Sequence, residues 1–361
     1  MTLREFHQSL GARFEQVRGG EVVAGYGDAM AEHAALRATA AVLDFSFRGR
    51  LCLAGADRVE FLHGQVTNDI KSLAPGDGCY NALVTAKGRM VGDANAWRLA
   101  DELLLDLEPG CAAVVAARFE KFIVAADVQV LDAAPHFGLL TVQGPRAPDA
   151  VRSLALPGDV PPQPWRSIAV DHDTLGRIYM MNLPRTGTAG FDFFVPVASL
   201  AAVADKLIAA ARAVGGRAAG WQAFEWARVE AGIPRFGADM DDTTLPPEAG
   251  IEARAVSYSK GCYVGQEVIA RIRTYGQVMR KLCGLRLPDG LASLPARGDK
   301  LFKDGKEAGF ITTAIASPAL RANVALGCVR REVVQAGGDL TLQSADGAVA
   351  VRIVELPFAE A

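Results

Sequence analysis

The sequence predicts an α+β chain built from two βαββαβ-type modules and a C-terminal antiparallel β-barrel. Two observations carry this. One order of elements, strand, glycine, helix, hairpin, strand, proline and helix, occurs twice between Leu51 and Val214. Past Gly276 the helical spacing stops, and short strand-like runs separated by turn dipeptides take over.

The first copy starts with a strand at Leu51–Ala54 that ends at Gly55, then a helix from Asp57 to Leu62 with Asp57 as N-cap. A hairpin follows, Tyr80–Thr85 and Met90–Leu99 around a turn at Lys87-Gly88, then a strand at Leu103–Leu107. Pro109 opens a helix from Cys111 to Val124, and Val128–Leu131 closes the module. The second copy runs Leu139–Val142, a helix from Pro148 to Leu154, strands Ser167–Val170 and Arg177–Asn182, strand Phe191–Val195 and helix Leu200–Val214. Pro157 to Pro164, with four prolines, reads as a surface linker. The barrel strands are expected at 281–287, 300–302, 307–316, 324–329, 339–342 and 348–354, with turns at Asp304-Gly305, Gly337-Gly338 and Asp346-Gly347. Domain boundaries follow at 1–135, 136–275 and 276–361, with the modules free to interleave.

Composition narrows the functional classes. Of 361 residues, 50% are hydrophobic and 22% charged, which favours packed domains over disorder. The net charge of −3 gives no general attraction to nucleic acid or anionic membrane, and direct nucleic-acid binding is not expected. No apolar run reaches the ~20 residues that span a bilayer, and the N-terminus has no secretory pattern. The six cysteines are scattered without a C-x-x-C pair, and the five histidines are isolated. Reduced thiols in a cytoplasmic protein, and no metal site, are the expectation.

The densest chemistry is Lys260-Gly261-Cys262-Tyr263-Val264-Gly265-Gln266-Glu267. Val268, Ile269 and Ile272 continue with helical spacing, so the octet reads as a loop entering a helix. The positive end of that helix and Lys260 both favour the Cys262 thiolate. Such a cysteine can be nucleophilic, redox-active or metal-binding; the alternative is a small buried hydrophobe in a tight turn.

Three segments together resemble a known family. They are Leu36-Arg37 through Asp44-Phe45-Ser46 with Gly55-Ala56-Asp57, Phe61-Leu62 and Thr67-Asn68-Asp69; then Arg228-Val229-Glu230-Ala231-Gly232-Ile233-Pro234; then Pro247-Glu248-Ala249-Gly250 with the octet. The chain resembles the folate-binding family that includes the glycine-cleavage T-protein (aminomethyltransferase). Within it the cysteine-bearing octet is most similar to the YgfZ branch, whose members assist iron–sulfur cluster assembly or repair. The resemblance implies three domains in a ring, with tetrahydrofolate or a derivative in a central channel.

It also implies site residues. Asp192, between Phe191 and Phe193, matches an acidic position that meets the pterin edge; alternation puts it on the face opposite those rings, and a solvent-facing strand residue is the alternative. Asp93 matches the second of two acids in the transferases, where one assists aminomethyl transfer; Gly92 stands at the first. Tyr80 matches an aromatic that walls the pterin, or is an ordinary strand tyrosine. Arg228 and Glu230 are cofactor-binding, or an internal ion pair. Gln266 and Glu267 join the cofactor set, or cap their helix. Cys262, Lys260 and Asp93 are the candidate catalytic residues.

The implied function is a tetrahydrofolate-binding accessory protein supporting iron–sulfur enzymes, including those that modify tRNA, with Cys262 essential. Its partners are then iron–sulfur clients or assembly factors. The alternative is a folate-dependent aminomethyltransferase working with a lipoylated carrier, and a third reading is an interaction scaffold without folate.

Overall fold

A computed structural model describes residues 1–154, 156–276, 278–344 and 347–358. They fall into two units. The first comprises Met1–Gln65, Asp69–Tyr80 and Ala94–Ala227, the second Val66–Asn68, Asn81–Asp93 and Arg228–Ala361.

The first unit begins with helix α1 (Leu3–Ser9), hairpin strands β1 (Arg13–Val17) and β2 (Gly20–Gly25), helix α2 (Ala29–Ala38) and strand β3 (Ala41–Asp44). A capping box starts α1: Thr2 Oγ1 accepts the Glu5 N–H at 3.2 Å, and Glu5 Oε2 accepts the Thr2 N–H at 2.8 Å. Two modules follow. One is β4 (Gly49–Ala54), α3 (Arg58–Gln65), β5 (Gly78–Val84), β6 (Met90–Arg98), β7 (Leu103–Leu107), α4 (Ala112–Phe122) and β8 (Gln129–Asp132). The other is β9 (Phe137–Gln143), α5 (Ala147–Ser153), β10 (Ser167–His172), β11 (Gly176–Asn182), β12 (Gly190–Pro196), α6 (Leu200–Ala213) and β13 (Arg217–Ala218). Helix α7 (Trp221–Glu230) continues the chain, and the unit boundary falls inside it, after Ala227.

The duplication is visible in the strand order. One sheet runs β5-β6-β7-β4-β8 and the other β10-β11-β12-β9-β3-β13. Position by position the second reproduces the first, with β3 inserted beside β9. Between its two helices each copy has three strands, the expected hairpin plus one. The outer parts of β5 and β6, residues 81–84 and 90–93, are counted with the second unit. Asp57, expected as an N-cap, has its Oδ2 accepting the Asp127 N–H at 2.8 Å.

Strand alternation separates two cores. Phe191, Phe193 and Val195 of β12 join Leu140, Val142, Ile178 and Leu207 beside α5 and α6. Phe194 and Met181 join Cys52, Trp97 and Leu104 of the other sheet, with Phe45, Trp221 and Phe224. Each fully buried ring of this kind contributes about 1.5–3 kcal/mol.

In the second unit lie α8 (Glu252–Ala255), α9 (Gln266–Tyr275) and the strands β14 (Arg280–Arg286), β15 (Lys300–Lys303), β16 (Lys306–Ser317), β17 (Ala322–Arg330), β18 (Asp339–Ser344) and β19 (Gly347–Val354). These six close into a barrel in the order β14-β17-β16-β15-β18-β19, as the C-terminal strand pattern predicts. The turn at Asp304-Gly305 has both residues left-handed (φ +50 and +76), as a two-residue hairpin loop requires. Asp346 of the turn expected at Asp346-Gly347 lies outside the described residues. One helix interrupts the strands against expectation: α10 (Arg331–Ala336). Its six residues are too few for a periodic signal, and it forms because Val333 and Val334 pack onto the barrel core.

No helix of the described residues is long and apolar enough to cross a membrane.

Candidate functional site

The octet is built against two other segments of the second unit. Ser257 N–H donates to Thr67 O at 3.0 Å. Lys260 Nζ donates to Val66 O at 2.9 Å and Asn68 O at 2.7 Å, with Lys260 only 7% exposed. Its ammonium also stands 4.9 Å from the centre of the Tyr263 ring. Thr67 Oγ1 lies 3.1 Å from Ala82 O and accepts the Ala82 N–H at 3.0 Å, and Asn68 Nδ2 donates to Arg254 O at 2.9 Å. The Thr67-Asn68 and Lys260-Gly261-Cys262 motifs, distant in sequence, therefore meet.

Glycine makes the second contact possible. Gly265 is left-handed (φ +86) at the start of α9, and a Cβ there would stand 2.5 Å from Thr85 O. Gly88, at the turn of the same hairpin (φ +72), packs where a Cβ would meet Val268 at 3.0 Å. The hairpin so held carries Asp93, which is buried at 7% exposure on β6.

Between these supports the loop tip faces solvent. Among the described residues Cys262 is the one exposed cysteine, so it is not a buried hydrophobe in a turn. Gln266 Nε2 reaches Gly261 O at 3.5 Å across the loop, and Glu267 is exposed in the first turn of α9. Arg273 stacks 4.0 Å over the Tyr258 ring, whose hydroxyl donates to Glu252. Burial pushes the Tyr263 phenol up to about 12. Among the described residues no group of three His, Cys, Asp or Glu is placed to hold a metal ion.

Arg228 and Glu230, at the end of α7, lie elsewhere in the second unit. Arg228 is 1% exposed and donates to Asp239 Oδ2. Asp239 Oδ1 accepts from Thr312 and Thr313, each at 2.7 Å, and Oδ2 accepts the Arg235 N–H at 3.1 Å. A bulge between Ile311 and Thr313 turns both threonines to the same carboxylate. Burial alone would raise the Asp239 carboxyl, but Arg228 and the threonines hold it below the usual range. Glu230 Oε1 accepts from Ser317 Oγ at 2.5 Å and the Ala319 N–H at 3.3 Å.

Asp192 and Tyr80 belong to the first unit. Tyr80 is half-buried on β5. Asp192 is fully buried on the face opposite Phe191 and Phe193, so it is not a solvent-facing residue. Arg185 Nε contacts both of its oxygens at 3.0 Å. The same guanidinium donates to Asp106 Oδ2 at 2.6 Å, and Arg48 Nε donates to Asp106 Oδ1 at 2.6 Å. Arg48 also pairs with Glu108. Burial pushes the Asp192 carboxyl up and Arg185 opposes it; Asp106, also buried, is held well below the usual range by Arg185 and Arg48.

The sequence reading misses Arg48, Asp106, Arg185 and Asp239. Asp106 carries a legible signal, a charge among the four leucines of β7, since a buried charge needs a partner.

Comparison with known proteins agrees with this architecture. Residues 3–260 match the GCVT N-terminal domain, and residues 280–360 the glycine cleavage T-protein C-terminal barrel domain. An aminomethyltransferase of Parafrankia sp. (strain EAN1pec) is 31% identical over 364 aligned residues, covering 99% of this chain and 97% of that protein. One from Rubrobacter xylanophilus is 29% identical, with 99% and 93% covered. The crystal structure of glycine cleavage system aminomethyltransferase T from Bartonella henselae superposes with a TM-score of 0.89 at 25% identity, covering 100% of this chain and 98% of that one.

Proposed function

Because this chain belongs to the glycine cleavage T-protein family, whose cofactor is tetrahydrofolate, we propose that it is a tetrahydrofolate-dependent aminomethyltransferase. The observation that carries the reading is Asp93: a carboxylate buried on a hairpin against which the octet and residues 66–68 pack. A shielded carboxylate fits a reduced pterin, whose amino groups need an anionic acceptor. Tetrahydrofolate, when bound, supplies the amine nitrogen that receives the one-carbon unit. Asp93 is then the group that orients the acceptor and holds or moves its proton. Lys260 and Gly265 fix the hairpin, and a lipoylated carrier protein delivers the aminomethyl group. Either this role or the next is proposed for the cytoplasm.

Purified protein, an aminomethylated lipoyl carrier and tetrahydrofolate should yield methylenetetrahydrofolate, ammonia and the carrier's dihydrolipoyl thiol. Asp93→Asn should lower turnover about 100-fold or more at saturating folate and also weaken folate binding. No turnover of the wild-type chain with a carrier proven competent would remove the reading.

One observation favours a second role, as a folate-binding accessory factor for iron–sulfur enzymes of the YgfZ type. Cys262 is exposed at the tip of a braced loop, where packing gives it no reason to be cysteine. Iron–sulfur client proteins, including tRNA-modifying enzymes, are the partners in that case. Cys262→Ala would then leave folate binding intact and fail to restore iron–sulfur enzyme activity in cells lacking the native protein.

A further inference from the structure

A cleft of about 880 Å³ opens within the second unit, lined by Arg89, Glu248, Arg280, Phe310, Cys328 and Arg331 among others. Its size is that of a small-molecule site. Neither Asp93 nor any residue of the octet lines it, so the function proposed above does not use it.

Its lining carries four arginines, Arg89, Arg280, Arg330 and Arg331, against three carboxylates, Asp242, Glu248 and Glu332. Arg280 and Arg330 stand directly opposite each other across the β14–β17 pair, and like charges so placed oppose pairing. Arg331 follows at once in the chain. Arg89 pairs with Glu248 at 3.3 Å, and Arg330 reaches Glu332 only at 3.9 Å, with both of those side chains more than half exposed. Among the described residues no carboxylate pairs with Arg280 or Arg331. Arg280 instead rests 5.6 Å over the Phe310 ring. Arg331 Nη1 is buried and makes no hydrogen bond among the described residues.

A buried guanidinium nitrogen without an acceptor is costly. An anion in the cleft, beside Arg280, Arg330 and Arg331 that line it, would relieve the Arg280–Arg330 repulsion. Cys328 does not do so, since burial and Glu248 push its thiol up to about 11 and it stays neutral. We propose that the cleft is a binding site for a small polyanion, a molecule with at least two phosphate or carboxylate groups, gripped by Arg280 and Arg331.

Isothermal titration of the full chain with inorganic pyrophosphate and with citrate tests this. At low ionic strength at least one should bind with a Kd of about 1 mM or tighter. A preference for pyrophosphate identifies phosphate as the group recognised, and a preference for citrate identifies carboxylate. Arg280→Glu and Arg331→Gln should each weaken binding about tenfold or more, while Arg13→Glu, an exposed arginine of the first unit, should not. Two variants guard against one failing to fold. The proposal is overturned if neither anion binds, or if Arg13→Glu weakens binding as much as the cleft variants do.

Discussion

Replacing Lys260 with methionine asks whether the octet's lysine is an anchor. Its buried ammonium holds two backbone oxygens, Val66 O at 2.9 Å and Asn68 O at 2.7 Å. A hydrogen bond from a charged donor contributes about 1.5–3 kcal/mol. Methionine keeps most of the volume but leaves both carbonyls without this donor, so the net loss should be about 2–4 kcal/mol. The loss is local, which makes amide hydrogen exchange the suitable assay. The Ser257 N–H bonds Thr67 O and the Ala82 N–H bonds Thr67 Oγ1, so both report on the tripeptide that Lys260 holds. At about 1.4 kcal/mol per decade, their protection should fall about 30- to 700-fold, while amides of β9 in the first unit keep theirs. Unchanged protection together with lost activity would refute the anchor argument and return Lys260 to a chemical role.

Two further variants probe the same unit. Asp239→Asn removes the carboxylate charge that faces the buried Arg228 guanidinium, and the unfolding free energy should drop by about 3–5 kcal/mol in urea titrations. The Asp239 carboxyl lies below its unfolded value near ~3.9, so the folded state binds fewer protons there and the stabilisation is complete above that pH and lost as pH falls through the folded value. Urea midpoints should therefore fall with acidification more steeply in the wild type than in Asp239→Asn; parallel curves would contradict the assignment. Gly265→Ala forces a left-handed alanine whose Cβ meets Thr85 O at 2.5 Å. Strain alone costs about 1–2 kcal/mol, and an unchanged urea midpoint would show that the backbone there is not fixed as described.

What the sequence makes legible in the fold is what local chemistry determines. The six barrel strands are bounded by turn dipeptides and carry their own alternation, so each is found within a few residues. The duplicated order is legible because strand, glycine and helix signals repeat. The insertion of β3 beside β9 is not: Ala41 pairs with Gln143 across about a hundred residues, and nothing in a four-residue strand, three apolar residues and Asp44, names its partner. α10 escapes for the opposite reason, since a short helix formed by packing has too little sequence to show a period.

The same division governs the charged residues. Arg228, Glu230 and Asp192 are identifiable by type and motif as charges in apolar surroundings, and such charges require partners. Which partners is a matter of tertiary geometry. Asp106 is met by Arg48, 58 residues earlier, and by Arg185, 79 residues later. Asp239 gathers Arg228 from 11 residues before it and two threonines from more than 70 residues after, and only because a strand bulge aims both hydroxyls one way. Each of these carboxylates gathers several donors at once, Asp106 from Arg48, Arg185 and Asn95. Asp93 is buried on the hairpin that the octet braces. That bracing, rather than any difference in residue type, is why the chemistry proposed here is assigned to Asp93.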